Sequence, residues 1–268
     1  MLVIAYAAFI CFMHDPLVKV SVLVMNGLSL PTYNKAVAVL SGIMLLSVLT
    51  YSGYSLYYNR ERLTAKLFYL LTTVTLMAVH FRTMFEMNIE IVHSLEYTIL
   101  AFLLYPLAGR YAAAIVFAVP FMLLDEWLQY RVFYPTYVEY FEFNDIMMDI
   151  YGSGMMMIFL LISGVRLGKK TLHVWHRKEF WAIALALVVC FFAWQVCFIA
   201  LYKAQQCENT WLVLNRIEGV QGFWRQYPGR DVIYHVMQPV EAFFSIPALL
   251  LFYFGLDGIA PTKSTTGA

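Results

Sequence analysis

The chain has 268 residues, 62% hydrophobic and 13% charged, with a formal net charge of +1 and a mean hydropathy of +0.68. A soluble domain is nearer one-half apolar and one-quarter charged, so this composition excludes a single soluble core, which would leave too much apolar surface in water. The balanced charge, with no basic face, excludes a nucleic-acid partner.

The apolar residues come in long continuous runs rather than in period-two alternation, which selects helices over strands. A lipid-exposed backbone must satisfy its own hydrogen bonds, and helices do so within one segment. The expected fold is therefore all-α, a polytopic transmembrane helical bundle of about seven spans.

In chain order, residues 1–35 come first, as an apolar or interfacial segment. Residues 1–12 are apolar but short, and His14-Asp15-Pro16 breaks the run. Without a basic n-region it does not read as a signal peptide; a start-of-chain helix and an interfacial segment both remain open. Residues 17–30 are expected along the membrane surface or dipping into it. The transmembrane domain is expected over 36–258, with spans at 36–58, 65–81, 91–108, 112–128, 145–164, 180–202 and 236–256. Each is judged against the roughly 20 apolar residues that cross a bilayer. A polar tail follows over 259–268. The longest polar connections are 129–144 and 203–234.

Basic residues gather in alternate loops. Arg60, Arg62 and Lys66 join the first two spans, Arg110 joins the third and fourth, and Arg166, Lys169, Lys170, Arg177 and Lys178 join the fifth and sixth. Lys263 follows the seventh. The positive-inside rule places these loops in the cytoplasm, with the C-terminus. The far side is rich in acids: Asp15, Glu86, Glu90, Glu139, Glu142, Glu208, Glu218 and Asp231.

Several ionisable residues fall within the spans. His93 and Glu96 sit early in the third span. Asp125 and Glu126 end the fourth, with Gln129 just beyond. Asp145 and Asp149 open the fifth, and Glu241 opens the seventh after His235 and Gln238. In the topology above, all these positions share the non-cytoplasmic end. A carboxylate in hydrocarbon costs about 2.5 kcal/mol or more unless paired, protonated or wet. The spacing sharpens the picture: Glu90, His93 and Tyr97 share one helical face, as do Asp125 with Gln129 and Asp145 with Asp149. Glu96, Asp125, Glu126 and Asp145 are expected to approach one another in one polar pocket. Adjacent acids point about 100° apart, so Asp125 is expected with Gln129 while Glu126 faces another helix. His93 is their nearest cationic partner, with Arg82 and Arg131 at the rim. Gly152 and Gly154 should let the fifth span pack closely. The plainer account is that polar residues belong at helix ends and that an acid at an N-terminus simply suits the dipole.

Three strings then stand in order. Glu90-Ile91-Val92-His93-Ser94-Leu95-Glu96-Tyr97 resembles the acid-x-x-His-x-x-Glu-Tyr motif of VanZ-like membrane proteins. Leu124-Asp125-Glu126-Trp127-Leu128-Gln129 resembles that family's Asp-Glu-x-x-Gln motif. Asn144-Asp145-Ile146-Met147-Met148-Asp149-Ile150-Tyr151-Gly152 resembles its Asp-x-x-x-Asn-x-x-Gly motif, with Asp149 where the family usually has Asn. A longer aromatic loop over 130–143 stands in place of the family's short Pro-Gly-Arg turn. The resemblance covers a core of about 88–155 and implies a link to the bacterial cell envelope, in the cytoplasmic membrane; it names no reaction.

Glu90-x-x-His93 is also the ligand pair of carboxylate-bridged di-iron bundles, but those need a second copy, which the sequence lacks. No metal ligand set is expected and no cofactor is identifiable. The four cysteines, Cys11, Cys190, Cys197 and Cys207, show no metal spacing. Cys190 and Cys197 read as packing residues of the sixth span and Cys207 has no evident partner, so no disulfide is expected. Met155–Met157 suits adaptable packing. His14, His80, His173 and His176 read as interfacial or solvated.

Two classes of function remain open. In the first, His93, Glu96, Asp125 and Glu126 do acid–base chemistry on a lipid-linked or cell-envelope substrate, with Glu90, Tyr97, Gln129, Asp145 and Asp149 binding it. In the second, the chain is a non-catalytic accessory subunit of a larger membrane complex and the acids form a buried network. A transporter is less favoured, since no repeat or broken-helix pair is evident. Membrane lipid is a partner in every case; a lipid-linked envelope precursor belongs to the first reading and other membrane subunits to the second.

Overall fold

A computed structural model describes residues 1–85, 88–136, 138–165, 173–217, 222–226 and 233–259, with backbone alone at 14, 15 and 88. Among these are eight α-helices: α1 (Leu2–Leu28), α2 (Leu30–Tyr58), α3 (Leu63–Met84), α4 (Ile91–Ala108), α5 (Tyr111–Leu128), α6 (Phe143–Ile162), α7 (Lys178–Gln195) and α8 (Pro239–Ile259). Seven of them, α2 to α8, are long and apolar enough to cross a membrane, so the chain is an all-α integral membrane bundle. The basic residues Arg166, Lys169, Lys170 and Lys263, and the acids Glu86, Glu218 and Asp231, lie outside the described residues.

The opening segment forms more structure than its sequence promised. α1 runs to Leu28 and bends by 46° between Met13 and Pro16, where proline removes a backbone donor. Its first half buries Ala7, Ile10 and Cys11 against α4 and α5. α2 starts at Leu30, so the expected boundary at 35/36 falls inside a helix.

α6 is the central helix, buried on nearly every side. Its small residues make that possible. A Cβ at Gly152 would overlap the Ser94 carbonyl of α4, and one at Gly154 would overlap the Tyr253 ring of α8. Backbone carbonyls at these close crossings accept side-chain hydrogen bonds: Thr98 Oγ1 donates to Gly152 O at 2.9 Å and Ser153 Oγ to Tyr97 O at 3.3 Å. This is the close, small-residue packing that helices use in lipid. By contrast α2 and α7 leave almost all of their apolar spans outside the bundle, each only 6% buried.

The sixth span is shorter than expected. Helix α7 stops at Gln195, and the last residues of the 180–202 run form a strand, β1 (Ile199–Tyr202), parallel to β2 (Leu212–Asn215). Residues 196–202 are apolar enough for either state, and the pairing with β2 decides for the strand. A second pair, β3 (Arg225–Gln226) and β4 (Ile233–Tyr234), is antiparallel. A disulfide joins Cys197 to Cys207 across this outer segment, so the expectation of four unpaired cysteines is wrong. Cys197 lies beyond the helix end with φ 61° and does not pack on the face of Cys190. Arg216 ties the 130–143 loop to this cap, donating to the carbonyls of Tyr130 and Val138, each at 2.8 Å, and stacking on the Tyr130 ring.

At the opposite end of the bundle the buried charges are paired. The Asp257 carboxylate accepts from the first backbone N–H groups of α5, Tyr111 at 2.8 Å and Ala112 at 3.3 Å, and meets Arg177 at 2.7 Å. An acid is favoured at a helix N-terminus, where backbone donors have no helical partner. Arg110 pairs with buried Glu179 beside it.

Candidate functional site

His93 is the hub of the site. A short helical turn, Asn88–Glu90, feeds α4 and sets Glu90 one turn below His93. From α6, Asp145 and Asp149 stand one turn apart on the face turned to α4. His93 Nε2 lies 3.9 Å from Glu90 and 3.8 Å from Asp145, and its Nδ1 lies 3.8 Å from Asp149. These are ion-pair distances, too long for hydrogen bonds. From α5 come Asp125 and Glu126: one donor atom each of His93, Asp125 and Glu126 lie within 4.8 Å of one another. The same holds for Glu90, His93 and Asp145.

Glu126 faces Asp145 and Asp149 of α6 while Asp125 faces His93 and Tyr97 of α4, and both stay within reach of His93. The imidazole of α4 sits between two adjacent acids that point about 100° apart, and so reaches both. Gln129 serves both acids: its amide donates to Glu126 Oε1 at 3.3 Å and also faces the Asp125 carboxylate, the neighbour that i, i+4 spacing gives it. From Gln129 to Phe133 the helix widens into a π turn, while the Gln129 N–H still bonds back to the Asp125 and Glu126 carbonyls. Such turns recur at functional sites.

The acids run from surface to core. The Glu90 side chain is 33% exposed, Asp145 10% and Asp149 0%. Asp125 and Glu126 are buried with them. The oxygens of Asp125 and Asp149 and the Tyr97 hydroxyl are buried without a well-formed hydrogen bond among the described residues, although Gln129 and the Tyr97 hydroxyl both face the Asp125 carboxylate. Glu96, half-buried, lies one turn above His93 in the shared field of His93 and Asp125. The Tyr6 hydroxyl of α1 donates to the Glu96 backbone carbonyl at 3.2 Å, so α1 closes one side of the cluster. Arg82 and Arg131, expected at the rim, are exposed, and neither pairs with these acids among the described residues.

Glu241 belongs to a separate arrangement. Its carboxylate meets His235 Nε2 and the Gln238 backbone N–H, both at 2.7 Å, while His235 Nδ1 lies 2.6 Å from the Phe223 carbonyl. Asn144 bridges this start of α8 to α6, donating to the His235 carbonyl at 3.2 Å and accepting from Met237 N at 3.0 Å. His80 is buried, 3.0 Å from the Asn144 carbonyl, and not solvated as expected. These side chains are satisfied and act as fasteners that hold Asp145 in place.

Sequence reasoning missed Tyr6, Cys11 and the π turn. Their only signal was an apolar run before Pro16 and a Gln at a helix end. Comparison with family models, curated proteins and solved structures finds no match, so the likeness to VanZ-like proteins rests on the three motifs.

The arrangement sets five carboxylates, those of Glu90, Asp125, Glu126, Asp145 and Asp149, around one imidazole, and among the described residues no lysine or arginine is seen to pair with Asp125, Glu126, Asp145 or Asp149. An unpaired buried carboxylate is costly. A site built in this way takes up positive charge, whether as protons or as a cation.

Proposed function

We propose that this integral membrane protein carries out chemistry at the non-cytoplasmic face, on a lipid-linked or cell-envelope substrate of the kind its VanZ-like motifs imply. The observation that carries this reading is the pair of fully buried carboxylates, Asp125 and Asp149, gathered at His93 without a well-formed hydrogen bond or a lysine or arginine partner among the described residues. Packing alone gives no reason to keep them, whereas proton transfer needs groups whose charge is free to change. His93 exchanges protons with or orients the carboxylates, Glu96, Asp125 and Glu126 supply acid and base, and Glu90, Tyr97, Gln129, Asp145 and Asp149 position the substrate. The orientation draws support from two sides. The basic loops lie at the other end, and the Cys197–Cys207 disulfide lies at the site end, as suits an oxidising compartment.

A second reading, an accessory subunit, draws on α2 and α7, whose surfaces are almost wholly outside the bundle. Glu126→Gln separates the two. It keeps shape and the Gln129 contact but removes the charge. The catalytic reading expects a resistance or envelope-labelling assay to fall to background with normal yield of folded protein. Full activity with normal yield would count against it.

A further inference from the structure

The proposed chemistry leaves open what balances the cluster's charge. A proton on Asp125 would remove one negative charge, but it would then need an acceptor, and although Gln129 and Tyr97 face this carboxylate, neither of its oxygens has a well-formed hydrogen bond among the described residues. Neither Asp149 oxygen has one there either. A cation satisfies such oxygens directly. It also explains why three potential ligands from two helices, one imidazole nitrogen and two carboxylate oxygens, converge within 4.8 Å of one another. Donor atoms that share one ion lie about 3–4 Å apart when each bond is about 2.1 Å. Small rotations of the Asp125 and Glu126 side chains are enough to close that gap.

We propose that His93, Asp125 and Glu126 hold a divalent cation of the class that accepts mixed imidazole and carboxylate ligation, such as Zn2+ or Mn2+. It rests on the reading of this cluster as a working site. The donor set suits such ions: imidazole favours zinc and iron, carboxylates favour manganese and magnesium. The surroundings fit as well. A metal-bound imidazole keeps its orientation through carboxylates facing its other nitrogen, and the two ring nitrogens of His93 face Asp149 on one side and Asp145 and Glu90 on the other. A ligating carboxylate is likewise held by a neighbouring donor, here the Gln129 amide on Glu126. Among the two clusters that share His93, this one is preferred because Asp125 and Glu126 are buried, while Glu90 is a third exposed and already in contact with solvent. Carboxylate-bridged di-iron bundles repeat a Glu-x-x-His string; these ligands instead come from one His on α4 and an adjacent acid pair on α5, a pattern with no fixed spacing in sequence.

The test uses the full chain purified in detergent, stripped with EDTA and passed through gel filtration after exposure to Mn2+ or Zn2+. Elemental analysis of the folded peak, with electron paramagnetic resonance for Mn2+, is expected to find roughly one ion per chain. Asp125→Asn and Glu126→Gln should each weaken retention by more than the about 10–100-fold typical of an outer contact, whereas Glu208→Gln, in the exposed outer segment, should leave it unchanged. As a readout independent of variants, the ion should raise the midpoint of thermal unfolding of wild type above that in EDTA. Folded wild-type protein that retains neither ion and melts identically with and without EDTA would overturn the proposal, as would equal retention by wild type and both site variants. Retention without activity would leave the cation site standing and count against the catalytic reading. Activity abolished by Glu126→Gln in a protein that never holds an ion would do the reverse.

Discussion

The two ends of this bundle bury acids to a similar degree and treat them differently. Where α5 begins and α8 ends, Asp257 meets Arg177 and two backbone N–H groups, and Glu179 meets Arg110. Where α4 and α6 begin, Asp125 and Asp149 have no well-formed hydrogen bond and no lysine or arginine among the described residues, and one imidazole is shared among five acids. Burial is therefore not what separates structure from site here. The presence of a compensating partner is. A buried charge with its partner holds helices together, whereas one without a partner weakens the fold and persists where something else requires it.

The largest test of that contrast removes a partner at the paired end. Arg177→Ala leaves Asp257 buried and uncompensated, a change worth about 3–5 kcal/mol in comparable pairs. A sharp fall in folded yield and in thermal midpoint is expected; an unchanged midpoint would mean that the pair is not holding α7 to α8. A smaller effect is expected at the crossing that sets the site's width. Gly152→Ala drives a methyl into the Ser94 carbonyl and should cost about 1–3 kcal/mol by overpacking. It should also impair function by shifting His93 from Asp149, whereas Gly53→Ala, on the open surface of α2, should leave both yield and function unchanged. The smallest effect concerns the sidedness of the comparison. In intact cells, Cys207 should react with an impermeant maleimide only after an external reductant opens its bond to Cys197. Labelling of intact cells without reductant would contradict the Cys197–Cys207 bond, and labelling only after lysis would contradict the proposed orientation.

Much of the contrast is legible in the residues alone, and the failures have physical causes. Spans are legible because a bilayer demands one long apolar run per crossing. The site is legible because His93 with Glu90, and Asp145 with Asp149, repeat at helical spacing, and because the acids share one depth. Residues 1–12 are not legible, since an apolar stretch reads the same against lipid as against α4. The end of α7 is not legible either: residues 196–202 are apolar, and periodicity cannot tell a short buried strand from helix. The Cys197–Cys207 bond depends on where β1 places Cys197, and connectivity does not follow from cysteine positions alone. Burial of His80 depends on the Asn144 carbonyl, an interaction between distant helices.

The central claim is that Asp149 is buried at a cost to the fold, and paired melts of Asp149→Asn and Asp257→Asn in EDTA test it most directly. Both changes replace a carboxylate by an amide of the same shape, at opposite ends of the bundle. At position 257 the midpoint should fall, because Arg177 loses its counter-charge. At position 149 it should rise, by roughly 1–2 kcal/mol in stability, because a neutral amide is less costly to bury than a carboxylate without a hydrogen-bond donor. A fall at both positions would contradict the account, since it would make Asp149 one more structural acid.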